Sequence, residues 1–136
     1  MPALYRLENR VGPDYNQAVK WWTKAAEQGH ANAQYMLGDM YERGQGVGQS
    51  DREAVKCYTK AAEQGNAQAQ FFVGRLYEKG QGVPLNDVIA LSYYILASAG
   101  GEARAKIERD RLTMWMSPDQ VAEAQGMARE FKIGGK

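Results

Sequence analysis

Two side chains in this sequence are chemically singular: His30 is the only histidine and Cys57 the only cysteine. A cysteine paired with a histidine is the arrangement of a thiol nucleophile and its base, and either residue can bind a metal. Neither finds its complement here. His30 follows Gly29 in a turn, with no cysteine or carboxylate at metal-ligand spacing nearby, and reads as a turn residue. Cys57 has no histidine neighbour and reads as a passive thiol; a lone cysteine also excludes an intrachain disulfide. Gly44-Gln45-Gly46-Val47-Gly48 has the look of a phosphate cradle, but it lacks a preceding strand, a Gly-Lys-Ser/Thr ending and GxGxxG spacing. The expectation is a protein with no catalytic residues, no metal and no cofactor. Lysines offer a different chemistry: Lys20 and Lys24 are four residues apart, as are Lys56 and Lys60, so each pair shares a helix face and presents two ammonium groups to carboxylates.

The elements that position these residues are repeated. Ala25-Ala26-Glu27-Gln28-Gly29 recurs as Ala61-Ala62-Glu63-Gln64-Gly65, and residues 18–53 laid on 54–89 are identical at 21 of 36 positions. A period of 36 residues marks units that cannot bury their apolar faces alone and stack on their neighbours. The second glycine loop, Gly80-Gln81-Gly82-Val83, obeys the same period, which makes both loops structural turns. Asn66 and Glu102 stand where His30 does, so the fold does not require a histidine there.

Within a unit the pattern is two helices. Asp14 is placed as an N-cap, Ala18, Val19, Trp22, Ala25 and Ala26 form an amphipathic stripe, and Gly29 ends the helix. A second helix follows from about Ala31 to Arg43, and further helices run from about Asp51 to Gln64, Ala67 to Lys79 and Asp87 to Ala99. Gly38 and Gly74 lie inside second helices, where glycine costs about 1 kcal/mol relative to alanine. Close helix approach offsets that cost if Trp22 or Tyr58 of the paired helix lies on the bare backbone. Ser117-Pro118 begins a last helix reaching about Phe131, with Val121, Ala124, Met127, Ala128 and Phe131 on the stripe that caps the stack. The expected organisation is a remnant unit (1–13), repeats at 14–50 and 51–86, a degraded repeat at 87–116 and a capping helix at 117–133.

A net charge of +1 from 17 basic and 16 acidic residues argues against nucleic acid as partner, and no run is apolar and long enough to span a membrane. The N-terminus has no signal-like apolar run, which points to a cytoplasmic protein, or to a periplasmic or secreted one if a natural leader precedes this start.

The motif Asp-Tyr-x-x-Ala-x-x-Trp-Trp/Tyr-x-x-Ala-Ala-Glu-Gln-Gly, followed by Ala-x-Ala-Gln-x-x-x-Gly-x-x-Tyr-x-x-Gly-x-Gly-Val, closely resembles the Sel-1-like repeat family, related to tetratricopeptide repeats. The resemblance covers roughly residues 11–105. It implies an all-α solenoid of antiparallel helix pairs in a right-handed superhelix, with the first helix of each pair lining a concave face. Members of that family act as adaptors, as bacterial factors meeting host or envelope proteins, and in some cases as immunity proteins.

On that geometry the non-core positions of the first helices form ladders across the repeats: Lys20, Lys56 and Ser92; Lys24, Lys60 and Leu96; and Trp21, Cys57 and Tyr93. The expected function is a non-enzymatic protein-interaction module or adaptor that holds a protein or peptide along Lys20, Trp21, Lys24, Lys56, Cys57, Lys60 and Tyr93. The plainer reading is a solvated helix face, with Lys24 and Lys60 partly neutralised by Glu27 and Glu63 and Trp21 packed against the N-terminal remnant. Two alternatives stand beside it: an immunity or inhibitor protein that neutralises a toxin, and, more remotely, an enzyme acting on cell-wall fragments. The decayed first unit also suggests a homodimer through apolar surface at Leu4, Tyr5, Leu7, Val19 and Trp21.

Overall fold

Asp14, Ser50 and Asn86 recur at the repeat period, and each starts a helix in the same way. The side-chain oxygen accepts a hydrogen bond from the backbone N–H three residues on, at Gln17, Glu53 and Ile89 respectively. The computed structural model describes residues 14–131. Among these residues the chain forms seven helices and no strand: α1 (Tyr15–Glu27), α2 (Ala31–Arg43), α3 (Asp51–Glu63), α4 (Ala67–Lys79), α5 (Asp87–Ala99), α6 (Ala103–Thr113) and α7 (Pro118–Glu130). From α1 to α6 each helix packs on the next, giving a solenoid of helix pairs.

The glycine loops return to the start of their own unit. Gly46 and Gly82 both have φ of 78°, and a Cβ on either would stand 2.5 Å from a carbonyl oxygen, that of Tyr15 at the head of α1 or Asp51 at the head of α3. Only glycine satisfies both demands. The loops are therefore packed turns, as their periodicity predicts.

The helix glycines do make room for a ring, but the ring comes from the following unit and not from the paired helix. A Cβ at Gly38 in α2 would lie 2.7 Å from Cδ1 of Tyr58 in α3, and one at Gly74 in α4 would lie 2.8 Å from Cε1 of Tyr94 in α5. Trp22 is not the residue that covers Gly38. The correction has a physical reason: the buried ring of the following unit fills the space that the missing side chain leaves at the joint, while the same Tyr58 ring also stacks on Phe72 of its own pair at 5.4 Å.

Tyr58 and Tyr94 are completely buried, and their hydroxyls carry the second half of the joint. Tyr58 donates to Glu42 Oε1 at 3.0 Å, and Arg75 pairs with Glu42 Oε2 at 2.6 Å. One period later Tyr94 donates to Glu78 Oε1 at 2.8 Å, and Arg111 pairs with the other oxygen of Glu78. Burial, reinforced by the neighbouring glutamate, raises both phenols well above the usual tyrosine range. The first unit lacks these groups, with Trp22 at the tyrosine position and Asp39 at the arginine position, paired instead with Arg43 at 2.9 Å.

Two glutamines tie the helix ends together. Gln34 and Gln70 are buried, and each donates from Nε2 to the last-turn carbonyl of the preceding helix, Ala26 at 3.2 Å and Ala62 at 3.1 Å.

The third unit is altered. Asp110 replaces the helix glycine and is exposed, as are Ile107, Met114 and Trp115. The chain turns through Met114, Trp115 and Met116, and α7 packs on α5. Ser117 and Gln120 form a full capping box with Pro118 at the first helical position. Ala124 is buried with Val121 packed beside it, whereas Met127 of the expected stripe is 39% exposed.

A candidate partner-binding face on the first helices

The Asp14 and Ser50 caps fix where α1 and α3 begin, and Tyr58 fixes how α3 lies on α2. Lys20 and Lys24 are exposed on α1, and Lys56 and Lys60 on α3. Among the described residues Lys56 pairs with Glu53 at 3.6 Å, while the expected pairs of Lys24 with Glu27 and Lys60 with Glu63 do not form. The four ammonium groups thus remain largely in water.

The structure divides the candidate residues between two neighbouring depressions. Lys20, Trp21 and Lys24 border a shallow groove on α1 with Val19 and Thr23. Cys57 and Lys60 border a separate crevice of about 180 Å³ between α1, α2 and α3, floored by Ala26, Leu37 and Tyr41. Thr23 belongs to both and joins them. Trp21 is 48% exposed and Val19 half-buried. Leu4, Tyr5 and Leu7 of the expected self-association surface lie outside the described residues.

Cys57 is half-buried. Burial, followed by the charge of Glu53, raises its thiol above the ordinary value, and the opposing influence of Lys60 and Lys56 is smaller. That is the reverse of what an activated nucleophile needs. His30 is exposed and precedes α2 without capping it through its side chain. Among the described residues no group of three or more histidine, cysteine, aspartate or glutamate side chains is arranged to hold a metal, and no helix is long and apolar enough to cross a membrane.

The ladder changes character at its third rung. Ser92 is buried and donates its hydroxyl to the Ile89 carbonyl at 2.6 Å, so it does not extend the line of Lys20 and Lys56. Leu96 borders a groove shared with Ala128 and Arg129 of α7. Tyr93 stacks on Tyr77 with ring centroids 6.3 Å apart and planes 8° apart, and Phe131 meets its other side edge-on at 6.3 Å. The end of α7 therefore closes over Tyr93 at the third rung, while Cys57 at the second rung borders an open crevice.

A cluster absent from the sequence reading lies along the second helices, where Asp39, Glu42, Arg43, Arg75 and Arg104 surround Phe72. The Arg75 guanidinium sits 4.4 Å from the Phe72 ring centre and that of Arg104 lies 4.6 Å from Phe71. Each arginine already has a carboxylate: Arg43 with Asp39, Arg75 with Glu42, and Arg104 with Glu102. The signal that could have found part of it is the 36-residue spacing of Glu42 with Glu78 and of Arg75 with Arg111. As a neutralised cluster it clamps the stack.

Comparison with known proteins agrees with this architecture. The chain is similar in structure to a protective antigen present in uropathogenic Escherichia coli strains that displays an SLR fold, at 30% identity and a TM-score of 0.83 over 95% of this chain and 28% of that one. It is similar also to a Sel1 repeat protein from Oxalobacter formigenes, at 37% identity and a TM-score of 0.73 over 85% of this chain and 49% of that one. It thus spans less than half the length of either. No curated protein matches the sequence. The family model for the Sel1 repeat matches three times, at residues 3–30, 31–66 and 67–102, and the chain belongs to the Sel1 repeat family.

Proposed function

We propose that this chain is a non-catalytic protein-interaction module that holds an extended, acidic segment of a partner protein across α1 and α3. The observation that carries this reading is the set of four exposed lysines on two successive first helices, with Lys60 lining an unfilled crevice and Lys20 and Lys24 bordering the adjoining groove. Ammonium groups at the rim steer and orient a carboxylate-bearing chain, and the apolar floor supplies the contact area that rim charges alone do not. Membership of the Sel1 repeat family, whose members typically mediate protein–protein contacts, supports the same reading.

The test is capture of the partner by the wild-type chain beside a variant carrying Lys20→Glu, Lys24→Glu, Lys56→Glu and Lys60→Glu, with helical content checked by circular dichroism. Affinity should fall by at least about tenfold in the folded variant, since like charges across an interface cost several kcal/mol. Equal capture by both proteins would move the interface away from this face.

A further inference from the structure

The crevice beside Cys57 has a filled counterpart one repeat later, and the filling shows what it accepts. The residues at the two sites correspond at the 36-residue offset: Ala26 with Ala62, Leu37 with Val73, Tyr41 with Tyr77, and Cys57 with Tyr93. At the later site the Tyr93 ring lies parallel to Tyr77, and Phe131 from the end of α7 closes over it. At the earlier site the ring is missing because position 57 is cysteine, and about 180 Å³ stays open against Tyr41. A cavity of ~150 Å³ lined by apolar side chains is enough for a benzene ring.

We infer that the crevice between α1, α2 and α3 is a binding pocket for one aromatic side chain of an acidic partner peptide, whose ring stacks on Tyr41 as Tyr93 stacks on Tyr77. The proposal rests on the interaction-module reading above and specifies its anchor. Glu27, Glu53 and Lys60 also line the crevice, with Gln34, so the pocket itself carries one net negative charge and does not supply the acidic preference. The preference for acidic neighbours arises along the continuous path over Thr23, where Lys20 and Lys24 border the adjoining groove. Ring stacking adds to the area buried, which is why the anchor is aromatic and not merely apolar.

The experiment is a titration of the ¹⁵N-labelled chain, read by amide shifts, with three capped tripeptides: Glu-Phe-Glu, Glu-Ala-Glu and Lys-Phe-Lys. Glu-Phe-Glu should move the amides of Thr23, Tyr41 and Cys57 in a saturable way, with Glu-Ala-Glu weaker by about tenfold or more. Lys-Phe-Lys should also be weaker. In Cys57→Tyr the introduced ring should occupy the pocket, so Glu-Phe-Glu binding is lost while the fold survives, as Tyr93 shows it can in the same register; Cys57→Ala keeps the pocket open and should retain binding. Absence of saturable shifts with Glu-Phe-Glu at millimolar concentration, or equal binding to Cys57→Tyr, would overturn the proposal, and equal binding of Lys-Phe-Lys would overturn its acidic preference. If Cys57→Tyr still captures the partner protein and the four-lysine variant does not, the face is the interface but the pocket is not its anchor.

Discussion

Gly74→Val is expected to prevent folding or to lower the melting temperature by on the order of 10 °C, because it drives a side chain into the joint between the second and third units. A Cβ at position 74 would lie 2.8 and 2.9 Å from two Tyr94 ring carbons and 3.1 Å from the Ala90 carbonyl oxygen. The ring has nowhere to go. Tyr94 is completely buried, and its hydroxyl is held by Glu78 at 2.8 Å, so relief requires α4 and α5 to separate. Overpacking of a filled core costs about 1–3 kcal/mol and sometimes more. Valine brings two further methyl groups, and its gain in helix propensity over glycine is a fraction of 1 kcal/mol, roughly. Gly126→Ala in α7 is the control, since the nearest atom to its Cβ would be an Arg129 guanidinium nitrogen at 3.6 Å. That substitution should stabilise by about 0.5–1 kcal/mol. Thermal melts of the two variants should therefore move in opposite directions. A Gly74→Val protein that melts with the wild type would mean that α4 and α5 do not approach as described.

The helices were legible because their ends are written in residue types with a local mechanism. Asp14, Ser50 and Asn86 are oxygen-bearing N-caps, and Ser117-Pro118 is a start signal that needs no tertiary information. The partner of each helix glycine was not legible in the same way. A tyrosine at position 58 is compatible with a glycine in its own pair or in the preceding one, since a repeat presents the same residue types in both directions. Nothing in the local pattern separates Gly38 from Gly74 as its neighbour. The Tyr58–Glu42–Arg75 and Tyr94–Glu78–Arg111 groupings were hidden for a related reason: their members are far apart in sequence and meet only once the stacking of successive units is known. At the candidate face the exposure of the four lysines followed from helical spacing alone. The fate of the third rung did not, because an amphipathic last helix has the same stripe whether it rests on α6 or on α5. Its choice of α5 brings Phe131 to Tyr93, and so distinguishes the open crevice at Cys57 from its filled copy.

The same inter-unit tyrosines should make the protein sensitive to alkali. Their folded pKa values are raised, by burial first and then through Glu78 for Tyr94 and Glu42 for Tyr58, with Asp39 and Glu108 adding smaller negative influences. In the unfolded chain a tyrosine ionises near pH 10, roughly. Below that pH both states hold the proton, so the stability contributed by the neutral, hydrogen-bonded phenol is fully present. Above it the unfolded state loses protons that the folded state keeps, and stability falls by up to about 1.4 kcal/mol per pH unit for each tyrosine. Tyr94→Phe separates this effect from the titration of lysines. At neutral pH the variant lacks a hydrogen bond to a carboxylate and should be less stable by about 1.5–3 kcal/mol. It also lacks the proton difference, so its stability should decline less steeply above about pH 10. Urea denaturation across that range should therefore show the two proteins converging as pH rises. Parallel curves would mean that the Tyr94 hydroxyl titrates in the folded state as it does in the unfolded chain, which is incompatible with a phenol sealed between two repeats and bonded to Glu78.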